Sequence, residues 1–76
     1  MRKGVLYLLT ALGMYRPATP IKSVLIDVGN RYGVGAYSVD KSIRDEIRRA
    51  GLHVTVREYI QMCLLSDIGL ERLIEM

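Results

Sequence analysis

The sequence predicts an all-α fold, a small bundle of four to five helices that contains a helix-turn-helix. Apolar residues recur at helical spacing in several separate segments. A glycine-containing turn separates two of these segments, and a capping-box pattern precedes another. Half of the 76 residues are hydrophobic, which is enough to enclose one modest core. We therefore expect a single folded domain over residues 1–76.

The first helix is predicted from residue 2 to about residue 15. Its apolar stripe comprises Val5, Leu8, Leu9, Leu12 and Tyr15, and Leu6 and Ala11 widen it. Arg2 and Lys3 lie at the helix end where the helix dipole disfavours cations. We expect these two side chains either to meet a phosphate or to remain in solvent.

The second helix is predicted from Pro20 to about Tyr32. Thr19 is a favourable N-cap residue, and proline is favourable at the first helical position. The apolar positions form a complete core stripe, which comprises Ile21, Val24, Leu25, Val28 and Tyr32.

A turn and a third helix follow, and their spacing is typical of a helix-turn-helix over about residues 20–50. Gly29 is costly inside a helix, which indicates that a second helix crosses it closely. Gly33 and Gly35 are expected to supply the unusual φ angles of a sharp reversal. The third helix is predicted from Ser38 to Ala50, where Gly51 ends it.

The third helix has two predicted faces. The inward face comprises Val39, Ile43, Ile47 and Ala50. The charged face could enter a DNA major groove, where Lys and Arg bond to guanine and Asp accepts from cytosine. The residues expected to read bases are Asp40, Lys41, Arg44, Asp45 and Arg48. A charged face that only meets solvent is the alternative, and the turn spacing favours DNA binding over it.

The charge distribution also favours a polyanion partner for the first part of the chain. Residues 1–50 hold nine Lys/Arg and four Asp/Glu, whereas residues 51–76 hold two and four. In a helix-turn-helix the first of the two helices crosses the DNA backbone. The residues expected to contact phosphates are Lys22, Arg31, Ser38 and Arg49.

The C-terminal part is predicted to be a helical interaction segment over about residues 55–76. Residues 52–56 alternate like a short strand, but Thr55 and Glu58 form a capping box that favours a loop and a helix from Val56. That helix is expected to bury Ile60, Cys63 and Leu64 and to end between Asp67 and Gly69. One or two further helical turns are expected over 70–76. This acidic and apolar segment is the expected homodimer surface.

Two stretches resemble a known family. The first is Lys3-Gly4-Val5-Leu6-Tyr7-Leu8. The second starts near Asp27 and comprises Val28, Tyr32, Ala36, Val39, Asp40, Lys41, Ile43, Arg44 and Ile47. On these residues, which span roughly 3–50, the chain resembles the C-terminal DNA-binding domain of the stage zero sporulation protein A response regulators.

The resemblance implies an all-helical bundle and sequence-specific control of transcription. Asp40 and Lys41 occupy the acidic and basic family positions that would read bases, and Arg44 matches a DNA-facing arginine. The family usually has glutamate and arginine at the first two positions, so a different DNA site is expected. The connection between the first two helices is shorter, and no match is seen from Gly51 onward. These 76 residues contain no counterpart of the family's receiver domain.

Enzyme chemistry is not expected. His53 and Cys63 are the only histidine and the only cysteine, and their spacing fits no metal site, so neither a metal nor a cofactor is predicted. Cys63 falls on an apolar helix face and is expected to be a core thiol. A single cysteine and the lack of a membrane-spanning apolar run indicate a cytoplasmic protein.

Two functions follow as hypotheses. The first is a small transcriptional regulator that places helix 38–50 in the major groove of double-stranded DNA, as a homodimer through residues 55–76. The second is a protein-interaction module with a regulator-like fold that binds another regulator or a polymerase. The small charge excess and the apolar C-terminal segment favour the second.

Overall fold

The computed structural model describes residues 1–65, which form four α-helices and no strand. The helices are α1 (Lys3–Met14), α2 (Ile21–Tyr32), α3 (Ala36–Arg49) and α4 (Val56–Leu65). The predicted all-helical class is confirmed, and four helices in residues 1–65 agree with the predicted number. The short helix predicted over residues 70–76 lies outside the described residues.

The core lies between α1, α2 and α3, and α4 packs against α1 and α3. Its most deeply buried side chains are Leu8, Val24, Val28, Val39, Ile43 and Ile60. The central residues of the predicted α2 and α3 stripes are buried, as are Ile60 and Cys63 on α4. Sequence periodicity therefore identifies the inward faces of α2 and α3. On α4 the predicted inward position of Leu64 is wrong, because this residue is 50% exposed.

The buried face of α1 differs from the predicted stripe at Leu6 and Tyr7. Leu6 is 37% exposed, whereas Tyr7 is buried. The ring of Tyr7 packs against Tyr32 of α2 with a centroid distance of 5.4 Å. The Tyr32 hydroxyl lies 2.6 Å from Oγ1 of Thr10, so the polar end of this aromatic pair is also satisfied.

The connection between α2 and α3 comprises only residues 33–35. Gly33 has φ 71°, a left-handed conformation that favours glycine, and the Val34 N–H donates to the carbonyl of Gly29 over 2.9 Å. The expected unusual φ at Gly35 is wrong, since its φ of −76° is available to any residue. Helix α3 begins at Ala36, two residues before the predicted start.

Gly29 does permit a close approach, but the predicted crossing helix is wrong. A Cβ at this position would overlap the carbonyl oxygen of Val34, which belongs to the following turn. The chain folds back directly onto the last turn of α2. The missing side chain therefore makes room for the reversal rather than for another helix.

Thr19 does not cap α2, which corrects the predicted start of this helix. No side chain caps α2, and Pro20 occupies the cap position instead of the first helical position. The Thr19 N–H donates to the carbonyl of Arg16 over 3.0 Å. This hydrogen-bonded turn keeps Thr19 outside the helix.

The end of α3 and the start of α4 agree with the prediction, and the predicted end of α4 between Asp67 and Gly69 lies outside the described residues. Gly51, with φ 75°, ends α3, and the N–H groups of Gly51 and Leu52 donate to the carbonyls of Arg48 and Ile47. At α4 the Thr55 N–H donates to Glu58 Oε1 over 3.0 Å, and the Glu58 N–H donates to Thr55 Oγ1 over 3.1 Å. This reciprocal pair is the predicted capping box, and residues 52–55 form a loop rather than a strand.

Candidate nucleic-acid interface

Helix α3 separates a buried apolar face from an exposed charged face. Val39, Ile43 and Ile47 are buried in the core. The opposite face exposes seven side chains, which are Tyr37, Ser38, Lys41, Arg44, Asp45, Arg48 and Arg49. From Lys41 to Arg48 this face extends about 10 Å along the helix axis.

The predicted base-reading residues all lie on or beside this exposed face. Four of them form two ion pairs, and Lys41 forms none within residues 1–65. Arg44 Nε lies 2.7 Å from Asp40 Oδ2, and Arg48 Nη1 lies 3.6 Å from Asp45 Oδ1. Lys41 makes no ion pair or hydrogen bond within residues 1–65. Asp40, whose side chain is 26% exposed, therefore orients Arg44, whereas Lys41 has an unengaged ammonium group.

The predicted phosphate-binding residues are exposed, but they do not form one cluster. Lys22 lies in the first turn of α2 and Arg31 in the last, about 13 Å apart along the axis. Lys22 lies seven residues before Gly29, so both are on the same side of α2, with Lys22 about 10 Å farther along the axis from the turn into α3. Arg31 lies on the opposite side of the helix from Lys22. Lys22 therefore lies at the end of α2 away from the turn into α3, whereas Arg31 lies at the end next to it.

The other two residues in this predicted set lie on α3. Ser38 is exposed in the first turn of α3. Arg49 is largely exposed in the last turn, with Nε 3.7 Å from Glu46 Oε2. Ser38 is thus available at one end of the helix, and Arg49 is partly engaged by an internal carboxylate at the other end.

Glu46 is the polar residue that the sequence analysis missed. It is 2% exposed, and Arg2 Nε donates to both carboxylate oxygens, over 2.6 and 3.1 Å. Arg2 is thus paired with a buried carboxylate, an environment that differs from the predicted phosphate or solvent. Glu46 lies three residues after Ile43 and seven after Val39, so helical spacing alone places it on the inward face.

Two concave surfaces border the exposed face of α3. One encloses about 410 Å³ between the start of α1 and α3, and is lined by Lys3, Tyr7, Val34, Tyr37, Ser38, Lys41, Ser42 and Asp45. We call it the α1–α3 groove. The other encloses about 250 Å³ and is lined by Arg44, Ile47, Arg48, Leu52, His53 and Val54. Cationic side chains therefore lie on both sides of the α3 face.

Residues 1–65 show no grouped metal ligands and no activated thiol. Within residues 1–65 no three of the His, Cys, Asp and Glu side chains are grouped to hold a metal. Burial raises the pKa of the Cys63 thiol, which disfavours the reactive thiolate. No helix in residues 1–65 is long and apolar enough to cross a membrane.

A comparison of the chain with models of protein families, with curated proteins and with solved structures finds no match. The resemblance to the stage zero sporulation protein A family therefore depends on the residues quoted above. This resemblance supports a proposed function.

Proposed function

We propose that this protein is a small DNA-binding regulator of transcription that inserts α3 into the major groove. The observation that carries this proposal is the exposed row of Lys41, Arg44 and Arg48 opposite a fully buried apolar face. Its length of about 10 Å corresponds to about three base-pair steps of 3.4 Å. A major groove about 12 Å wide admits one such helix.

The pairing on α3 gives the three cations different roles. Arg44, oriented by Asp40, is suited to a bidentate contact with the O6 and N7 atoms of guanine. Lys41 can approach a guanine acceptor without first breaking an ion pair. Arg48 and Asp45 are separated by 3.6 Å at the surface, a pair of little energetic value, so both can exchange partners on binding.

Phosphate contacts would come from the ends of α2 and α3. Lys22 would supply a contact from the first turn of α2, where its side chain is exposed. Ser38 and Arg49 extend the contact along α3, and Arg31 would require a backbone segment on the far side of α2. In this arrangement α2 and α3 act as a helix-turn-helix over about residues 20–50.

The family resemblance supports the same function. Asp40, Lys41 and Arg44 match positions that read DNA in the stage zero sporulation protein A family. The chain would then recognise its own site, because aspartate and lysine replace the family's usual glutamate and arginine.

We propose that the regulator binds as a homodimer through residues 55–76. Helix-turn-helix proteins commonly bind two half-sites with two-fold symmetry. The described part of this segment exposes Leu64 at 50% and Leu65 at 88%, next to a surface lined by Tyr15, Pro17 and Gln61. Burial of these side chains against a second copy would remove apolar surface from water.

Binding and selection of random duplexes test this proposal. Fluorescence anisotropy, with salt titration and sequencing of the bound fraction, should yield a salt-dependent affinity and a two-fold symmetric motif. Lys41→Ala should cost about 1–3 kcal/mol on the selected site, whereas Lys22→Ala should weaken all sequences alike. A Lys41→Ala variant that loses the same affinity on every sequence would refute base reading by this residue.

A protein-interaction module is the second candidate function. The exposed leucines at the end of α4 favour it, because they offer an apolar surface without cations. The wild-type chain would then bind no duplex at low salt. It would instead bind a purified regulator or polymerase, and removal of residues 70–76 would abolish that binding.

A further inference from the structure

We infer that the α1–α3 groove is a phosphate-binding site for the DNA backbone, with Lys3 as its principal cation. This inference rests on the proposed DNA-binding function and adds a contact from α1, a helix with no assigned role in it. Lys3 and Lys41 line the groove together with the hydroxyl-bearing residues Ser38 and Ser42. Ammonium and hydroxyl groups are donors that bind the oxygens of a phosphate diester.

The N-terminus of α1 lies beside this groove, and the buried Glu46 carboxylate, which is paired with Arg2, lies close to it. The first turn of α1 contains no acidic residue, and no side chain caps it. Its terminal N–H groups and the helix dipole therefore favour an anion. The one carboxylate lining the groove belongs to Asp45, which also lies 3.6 Å from Arg48.

The backbone at Lys3 is held in place from both sides. Arg2, the preceding residue, is bound to the buried Glu46 carboxylate. Gly4, the following residue, lies so close to α3 that a Cβ would overlap the carbonyl of Ser42. Lys3 is exposed between these two anchors, so its ammonium group can reach a ligand without movement of the helix.

The position of the groove beside α3 favours the DNA backbone as its ligand. Ser38, Ser42 and Asp45 recur at helical spacing and define one side of the exposed α3 face. A helix that lies in the major groove has a sugar-phosphate strand on each side. Lys3 would neutralise a phosphate of the strand on its side, while Lys41 extends toward the bases.

The test measures salt dependence on the duplex selected by the wild-type chain. Removal of one phosphate contact should lower the salt slope of log K by about 0.9, about a fivefold loss of affinity at 0.15 M salt. We expect this result for Lys3→Ala, with the preference among sequences unchanged. Arg16→Ala is the matched control, because it removes one exposed cation from the α1–α2 connection and should leave the slope unchanged.

Single methylphosphonate substitutions along each strand then identify the contacted phosphate. At one position, neutralisation should weaken the wild-type chain about fivefold and leave Lys3→Ala unaffected. Lys3→Arg should retain the wild-type response, and melting curves should show that all variants fold.

The outcomes separate this inference from the proposed function. Equal slopes for Lys3→Ala and Arg16→Ala on a duplex that the wild-type chain binds tightly would overturn the inference alone. Absence of any duplex binding at low salt would overturn the proposed function and this inference with it. Binding of inorganic phosphate without duplex binding would also overturn the DNA assignment, because the groove would then take a free anion.

Discussion

The guanidinium Nε of Arg2 lies 2.6 Å from Oε1 of Glu46, and this ion pair joins the start of α1 to the middle of α3. The Glu46 side chain is 3% exposed and that of Arg2 is 33% exposed. The carboxylate is thus the more desolvated member of the pair, and the Arg2 side chain remains partly exposed. Because the buried Glu46 carboxylate needs a cation, it favours packing of the Arg2 end of α1 against the inward face of α3.

We predict that the loss of Arg2 destabilises the fold more than replacement of Glu46 by an apolar residue. Arg2→Ala leaves a buried carboxylate with Arg49 Nε 3.7 Å away, and should cost about 2–3 kcal/mol. Glu46→Leu removes the buried charge, and the partly exposed Arg2 can turn to solvent, so a change within about 1 kcal/mol is expected. Urea denaturation measures both values.

The double variant distinguishes this explanation from a simple loss of packing. If the buried carboxylate causes the cost of Arg2→Ala, then Arg2→Ala should be nearly neutral in the Glu46→Leu background. Additive losses in the double variant would show that the ion pair contributes no coupling between α1 and α3.

We predict opposite effects of alanine at two glycines in α1. At Gly4 a Cβ would overlap the Ser42 carbonyl and lie 2.5 Å from Cγ of Glu46, so Gly4→Ala should cost about 2 kcal/mol or more. At Gly13 a Cβ meets no atom of residues 1–65 within 4 Å, so Gly13→Ala should stabilise by up to about 1 kcal/mol. Equal effects in thermal melts would contradict the close approach of α1 and α3.

The features that sequence reasoning predicted correctly are local. The capping box of Thr55 and Glu58 involves residues three apart, and the end of α3 at Gly51 depends on one glycine. Glu46 was detectable in part, because its spacing from Ile43 places it inward, but its partner Arg2 is 44 residues away in sequence. No local pattern identifies such a partner.

Gly29 shows the same limit of sequence reasoning. A glycine inside a helix indicates that some atom approaches closely, but it does not identify the approaching atom. A close approach by a crossing helix and one by the carbonyl of Val34 would both require a glycine at position 29. The α1–α3 groove likewise depends on how α1 crosses α3, which the apolar stripes leave undetermined.

We predict that the two glycines of the α2–α3 turn differ in their tolerance of alanine. Gly33→Ala places a Cβ at φ 71° and should cost about 1 kcal/mol, since this conformation favours glycine. Gly35→Ala, at φ −76° and with no atom within 4 Å of a Cβ, should be neutral or slightly stabilising. Comparable losses for both variants in urea denaturation would contradict the turn geometry.

The last prediction concerns the acid stability contributed by the cap of α4. The Thr55 backbone N–H, and then the Thr55 hydroxyl, hold the pKa of the Glu58 carboxyl below its ordinary value. Because the folded state binds this proton more weakly, the stabilisation is present above the ordinary pKa of about 4.3. It is lost as the pH falls through the lower pKa of the folded protein.

The measurement of this effect is urea denaturation between about pH 7 and about pH 3. The wild-type chain should lose more stability on acidification than Glu58→Gln, since the amide can accept the same hydrogen bond but does not titrate. Asp27→Asn is the control, because Asp27 is exposed on α2 and makes no ion pair within residues 1–65. Its profile should follow that of the wild-type chain. Parallel wild-type and Glu58→Gln profiles would mean that the carboxylate charge adds nothing to the cap, and that the hydrogen-bond geometry alone starts α4.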